Sequence, residues 1–124
     1  MSKTPSYLRV TRDGDVVQVD FVEKHILDEA IIRAIGLELA KLVDESARPR
    51  LVINFRNVEH LSSFALGTLI TVNNKISAKD GQLRLCEIRP EIVQIFEITK
   101  LNKILRIEKT MATAKASLAS GAKS

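Results

Sequence analysis

Five consecutive residues, Glu59-His60-Leu61-Ser62-Ser63, carry an acid, a base and two hydroxyl nucleophiles. A hydrolytic triad is the first chemistry such a set suggests. Triads, however, are assembled from residues that converge in space, and neighbours in sequence seldom have that geometry. The nucleophile elbow G-x-S-x-G is absent, as is any glycine-rich phosphate cradle, and the five glycines are dispersed. A hydrolase using His60 and Ser63 therefore stands as a rival reading, and the expectation is a protein that is not an enzyme. The two histidines, His25 and His60, lie far apart in sequence with no cysteine at ligand spacing. A metal centre needs three or four converging ligands, so neither a metal nor any cofactor is expected. Cys86 falls among Leu83, Leu85 and Ile88, where a thiol acts as a small hydrophobe and nothing adjacent would activate it.

What remains is the pair Ser62-Ser63 at a strand-to-helix junction. One serine can cap the helix and satisfy its free N–H groups. An exposed hydroxyl there can instead be a switch. Phosphate would add roughly −1.5 to −2 charge at the positive end of the helix. N-terminal amides can bond the new oxygens, so the carrier tolerates the change while a partner docking on the same surface does not. Spacing alone does not separate cap from switch.

The elements that hold these residues can be read from periodicity. Tyr7–Thr11 and Val16–Phe21 flank Asp13-Gly14-Asp15 and predict a β-hairpin. From Leu27 the period changes, and Leu27, Ile31, Ile35, Leu39 and Leu42 mark the apolar face of a helix. Asp28 is its expected N-cap, Leu27 and Ile32 its hydrophobic staple, and it must stop before Pro49. Leu51–Phe55 is a short run without alternation, as in a strand buried on both faces. After Arg56-Asn57 and the segment Val58–Leu61 comes a second helix with Ala65, Leu69, Val72 and Ile76 inward, closed by Asp80-Gly81. Leu83–Cys86 reads as a strand, Pro90 opens a third helix to Ile98, and Leu105–Ile107 reads as a last short strand. A basic segment over residues 110–120 is expected to be helical through Leu118 and to fray after Ser120. The order predicts an α/β fold: one domain with its core at about 7–108, a hairpin, then alternating helices and parallel strands in a mixed sheet covered by helices.

Composition narrows the classes further. At 124 residues, 45% hydrophobic and 27% charged, the chain has the make-up of a globular domain. It has no apolar run of about 18 residues to cross a membrane. Its start, Met1–Ser6, lacks the apolar stretch of a secretory signal. A single cysteine excludes an internal disulfide, and an intracellular location is expected. Residues 1–99 carry 13 Lys/Arg against 14 Asp/Glu, whereas residues 100–124 carry 6 against 1. The basic balance thus belongs to the C-terminal segment, and with aromatics at only 4% no nucleic-acid partner is expected.

Several matched segments in the right order resemble the STAS domain, the family of anti-sigma factor antagonists. Ser62-Ser63-Phe64-Ala65-Leu66-Gly67 is similar to the family's Asp-Ser-Ser-Gly-Leu-Gly signature, which follows an apolar strand and opens a helix. Gly81–Leu85 matches its second crossover strand, and Pro90–Leu101 its Pro-Glu helix with the following Leu-Thr-Gly-Leu type turn. The resemblance implies a cytoplasmic partner-switching protein that binds a serine/threonine kinase or anti-sigma factor, with a phosphatase reversing the modification. It places the phospho-acceptor at Ser63, with Ser62 as the alternative, and partner contacts at Arg56, Asn57, Ser62, Phe64 and Thr68. Phe64 reads equally as a core residue. Ser62 stands for the signature Asp, Phe64 for the second Ser and Ala65 for the first Gly, and Asn54 stands where an Asp is common. Two neutralised acids motivate a second reading: a constitutive scaffold or sensory module that is not phosphorylated. STAS modules that serve anion transporters are normally fused to a membrane domain, which this sequence lacks. A monomer or weak homodimer is expected.

Overall fold

A computed structural model of the protein describes residues 7–119. The hairpin forms from β1 (Leu8–Asp13) and β2 (Val16–Phe21), paired antiparallel from Leu8↔Phe21 to Asp13↔Val16. Gly14 at the turn has φ +61°, a conformation that glycine adopts without steric cost. The chain continues through β3 (His25–Ile26), α1 (Glu29–Asp44), β4 (Arg50–Asn54), β5 (His60–Leu61), α2 (Ser63–Ala78), β6 (Gln82–Cys86), α3 (Pro90–Ile98), a 3₁₀ turn at Leu101–Lys103, β7 (Ile107–Glu108) and α4 (Met111–Ala119).

Five strands make the main sheet in the order β1-β2-β4-β6-β7, parallel throughout except for the hairpin. Alternation along its central strands sorts two cores. Val19, Phe21, Leu51, Ile53, Leu83 and Leu85 pack beneath α1, α2 and α3, together with Ile32, Ile35, Leu39, Leu69, Val72 and Phe96. Val16, Val52 and Cys86 face the other way and are covered by Ala114 and Leu118 of α4. The uninterrupted apolar run at 51–53 therefore has the predicted cause, a strand buried on both sides. The basic C-terminal segment forms the helix expected through Leu118, and its apolar stripe seals the second face. The expected fraying after Ser120 lies outside the described residues.

Some local expectations need correction. Asp28 does cap α1, its Oδ1 accepting from Ala30 N at 2.8 Å and Ile31 N at 3.2 Å. The buried face of α1, however, is Ile32, Ile35, Leu39 and Val43, while Ile31 and Leu42 are only partly covered. Leu27 is half-exposed and does not bury as a staple residue, because Ile26 in β3 takes the inward position and strand alternation turns Leu27 out. The last strand is Ile107–Glu108, since Leu101–Lys103 tightens into a 3₁₀ turn and Leu105 N bonds back to Leu101 O at 2.7 Å. The pair β3–β5, two residues each and parallel, was not anticipated at all.

Cys86 is fully buried, with its Sγ 4.0 Å from Met111 Sδ. Burial pushes its thiol up to about 12, with Glu87 and Asp20 adding to the rise and Lys115 opposing it. The reactive thiolate is therefore scarce at neutral pH. Iodoacetamide at pH 8 is expected to leave Cys86 unmodified in the native protein and to label it fully in denaturant, as read by intact mass.

Candidate functional site

The site is built where β4 and β5 hand the chain to α2. At the end of β4, Asn54 Oδ1 accepts from Arg56 N at 2.8 Å and closes a tight Asx turn. Asn57 Nδ2 donates to Phe21 O at 3.2 Å, which ties this loop to the end of β2. Phe55 and Val58 are fully buried on either side of the turn, so Arg56 and Asn57 are displayed at its exposed tip. They line a polar recess with Arg9, Gln18, Asp20 and Asn54. Arg9, Gln18 and Asp20 were not anticipated. The one available sequence signal was the polar alternation of Gln18 and Asp20 between Val17, Val19 and Phe21.

The next turn sets the start of α2. Ser62 N donates to Ile26 O at 3.1 Å, and Ser62 Oγ accepts from Ala65 N at 3.3 Å. Ser62 is thus the N-cap, partly buried and committed to the helix. Ser63 is the first helical residue and is exposed. The first turn of α2 carries no acid, so nothing within it offsets the positive end of the helix dipole.

Phe64 lies beside Ser63 with 38% of its surface exposed, which removes it from the core. The Arg33 guanidinium of α1 sits 5.5 Å from its ring centroid, within cation–π range. Thr68 donates its hydroxyl to Phe64 O at 3.1 Å. Its methyl faces α1 so closely that a Cβ at Gly36 would come within 3.1 Å of it. Thr68 therefore belongs in part to the α1–α2 seam. The residues expected at one surface fall into two groups: Arg56 and Asn57 at the recess, and Ser62, Ser63, Phe64 and Thr68 at the start of α2.

His25 and His60, 35 positions apart in sequence, meet directly: their Nδ1 atoms are 2.8 Å apart and their ring centroids 4.9 Å apart. The cause is the β3–β5 pairing, which sets His25 opposite His60 and Ile26 opposite Leu61. Two residues per strand is too short a run for periodicity to reveal.

A mixed, mostly parallel sheet with an exposed serine at the first position of a capped helix defines a protein of the α/β class that presents a hydroxyl at a helix mouth. The chain belongs to the STAS domain family, whose model matches residues 7–114. It is 28% identical over 91 residues to BtrV of Bordetella bronchiseptica, named as a candidate anti-sigma factor antagonist; the match covers 73% of this chain and 78% of that protein. Among solved structures, the anti-sigma factor antagonist (STAS) domain protein of Planctomyces limnophilus superposes with a TM-score of 0.82 at 21% identity, covering 90% of this chain and 97% of that one. The Bacillus cell fate determinant SpoIIAA, solved in its phosphorylated form, gives 0.67 at 15% identity, covering 88% and 96%. The fold is that of the anti-sigma factor antagonists. Among the described residues, no helix is long and apolar enough to cross a membrane.

Proposed function

We propose that this chain is a non-enzymatic partner-switching module that binds a serine/threonine kinase or anti-sigma factor through the start of α2. Phosphorylation of Ser63 breaks that contact and a serine phosphatase restores it. The module acts in the cytoplasm, as a monomer or weak homodimer, and needs no cofactor of its own. The observation that carries the reading is the division of labour between the two serines. Ser62 is held by Ala65 N, whereas Ser63 is exposed at the first helical position beside Phe64. A phosphoryl group on Ser63 would meet a helix end with no acid in its first turn, and would crowd the aromatic face on which a partner rests.

The test begins with intact mass and peptide mapping of the protein taken from its own cells with phosphatases inhibited. A phosphoryl increment on Ser63 is the expected result. The captured partner should bind Ser63→Ala as it binds the wild type, and Ser63→Asp at least about tenfold more weakly. Equal binding of the two variants would sink the switch.

A second reading, a scaffold that binds without modification, is favoured by Asn54. Its amide oxygen closes the Asx turn at 2.8 Å with no charge, so the loop is built without the acid that resembles the family pattern. That reading predicts an unmodified Ser63 under all growth conditions and a stable complex on co-purification.

A further inference from the structure

The histidine contact has a geometry that goes beyond packing. In β3 and β5 the inward positions are Ile26, 1% exposed, and the partly buried Leu61. Alternation then turns His25 and His60 outward on one face, directly across a parallel pair. At 2.8 Å the two Nδ1 atoms are in hydrogen-bond contact, one donating and the other accepting. Glu59 joins them although it adjoins His60 in sequence. Glu59 N and His60 N both bond to Lys24 O, at 2.7 and 3.2 Å, so the chain bends there and consecutive side chains are not sent to opposite faces. A carboxylate oxygen of Glu59 and one nitrogen from each histidine lie within 4.8 Å of one another.

We propose that His25, Glu59 and His60 form a binding site for a borderline divalent transition-metal ion, with Zn²⁺ as the type ion. Two imidazoles and one carboxylate suit Zn²⁺, Ni²⁺ or Cu²⁺, and not Mg²⁺ or Ca²⁺, which favour all-oxygen ligand sets. Tetrahedral coordination with bonds of about 2.1 Å sets ligand atoms roughly 3.4 Å apart. The histidine nitrogens, now 2.8 Å apart, need to open slightly and the carboxylate to close in. Both histidines are exposed, so side-chain rotation alone can make these moves. The donor imidazole passes its proton from Nδ1 to Nε2, which leaves both Nδ1 lone pairs for the metal with no net proton released. Glu59 Oε2 currently sits 3.7 Å from Arg89 Nη2 in a partly exposed ion pair, and metal binding draws the carboxylate away from it. Three protein ligands leave a fourth position for water or an exogenous donor. The site lies two residues before the Ser62 cap, so an ion there clamps β3 to β5 directly under the start of α2. This inference is independent of the partner-switching reading.

The test is calorimetric titration of ZnCl₂ into the full chain carrying no added histidines, with MgCl₂ as the control ion. One Zn²⁺ per chain is expected, with no Mg²⁺ response. His25→Ala and His60→Ala should each weaken Zn²⁺ binding by about tenfold or more. Arg89→Gln, which frees Glu59, should tighten it. X-ray absorption of the Zn²⁺-loaded wild type should show two imidazole nitrogens in the first shell. Zn²⁺ binding unchanged in both histidine variants, no two-imidazole signature, or one ion bridging two chains would each overturn the site.

Discussion

Replacing Arg84 with alanine is expected to cost about 3 kcal/mol and to lower the melting midpoint by roughly 10 °C. Arg84 is the one buried charged residue among those described, 1% exposed at the centre of β6. Strand alternation turns it to the sheet face that α4 covers, in the same row as Cys86. Its guanidinium is satisfied by neutral acceptors: Ser117 Oγ at 2.8 Å from Nε, Leu83 O at 3.1 Å from Nη1 and Gln82 Oε1 at 2.7 Å from Nη2. Burial and the nearby Arg106 both lower its pKa, and Glu108 only partly offsets them. The cation is thus held at some cost while its stem fills the space under α4. Alanine removes that stem and leaves a void. Methionine keeps most of the volume and removes the buried charge, so Arg84→Met should cost less than about 1 kcal/mol or even stabilise. Thermal denaturation of the two variants separates the contributions. If methionine is as damaging as alanine, the hydrogen bond to Ser117 holds α4, and packing does not. Loss of amide protection confined to α4 would show that this helix is what Arg84 anchors.

Gly81→Ala is the second large expected loss, also about 3 kcal/mol, and its cause is steric. The end of α2 is a Schellman turn: Asp80 N bonds to Ser77 O at 3.0 Å and Gly81 N to Ile76 O at 2.9 Å. The left-handed residue in that turn is Asp80, at φ +56°, and not the glycine. Gly81 is needed for proximity. A Cβ there would lie 2.3 Å from Pro49 O, 2.8 Å from Pro49 Cγ and 2.9 Å from Ile76 Cγ2. The nearest of these is a backbone oxygen that accepts from Gln82 N at 2.8 Å, so relief requires the starts of β4 and β6 to separate. The same shift would move α2 relative to the sheet that sets its N-terminus. Urea titration should show the lost stability with an unchanged slope. A loss below about 0.5 kcal/mol would mean that the close approach to Pro49 is not maintained in solution.

Much of this architecture was legible from residue pattern because each signal was local. The apolar run Leu51–Phe55, the Asp13-Gly14 turn, Asp28 before its helix, Pro90 at a first turn and the inward set Ala65, Leu69, Val72 and Ile76 each reflect backbone and burial preferences of a short stretch. Asp80-Gly81 closes α2 as the sequence indicates, with Asp80 as the left-handed residue. The start of α2 was legible as a pair of hydroxyls, Ser62 and Ser63, either of which could cap the helix.

The remaining features depended on contacts between segments. Whether Ser62 or Ser63 caps α2 turns on one N–H···O distance at the helix mouth. Phe64 read equally well as core or surface until α1 was placed beside it with Arg33 over its ring. The amphipathic stripe of α1 rotated toward Ile32 and Val43 because the sheet and α2, and not the helix, decide which side is covered. The histidine pair is the clearest case. Residue types and local periodicity determined the helices and the longer strands, their order, the absence of an internal disulfide and the position of the serines, because those depend on composition and on short-range backbone and burial preferences. Only the tertiary structure brought His25 and Glu59 to His60 and turned Arg84 under α4, because those contacts are made between strands and helices that local pattern does not relate.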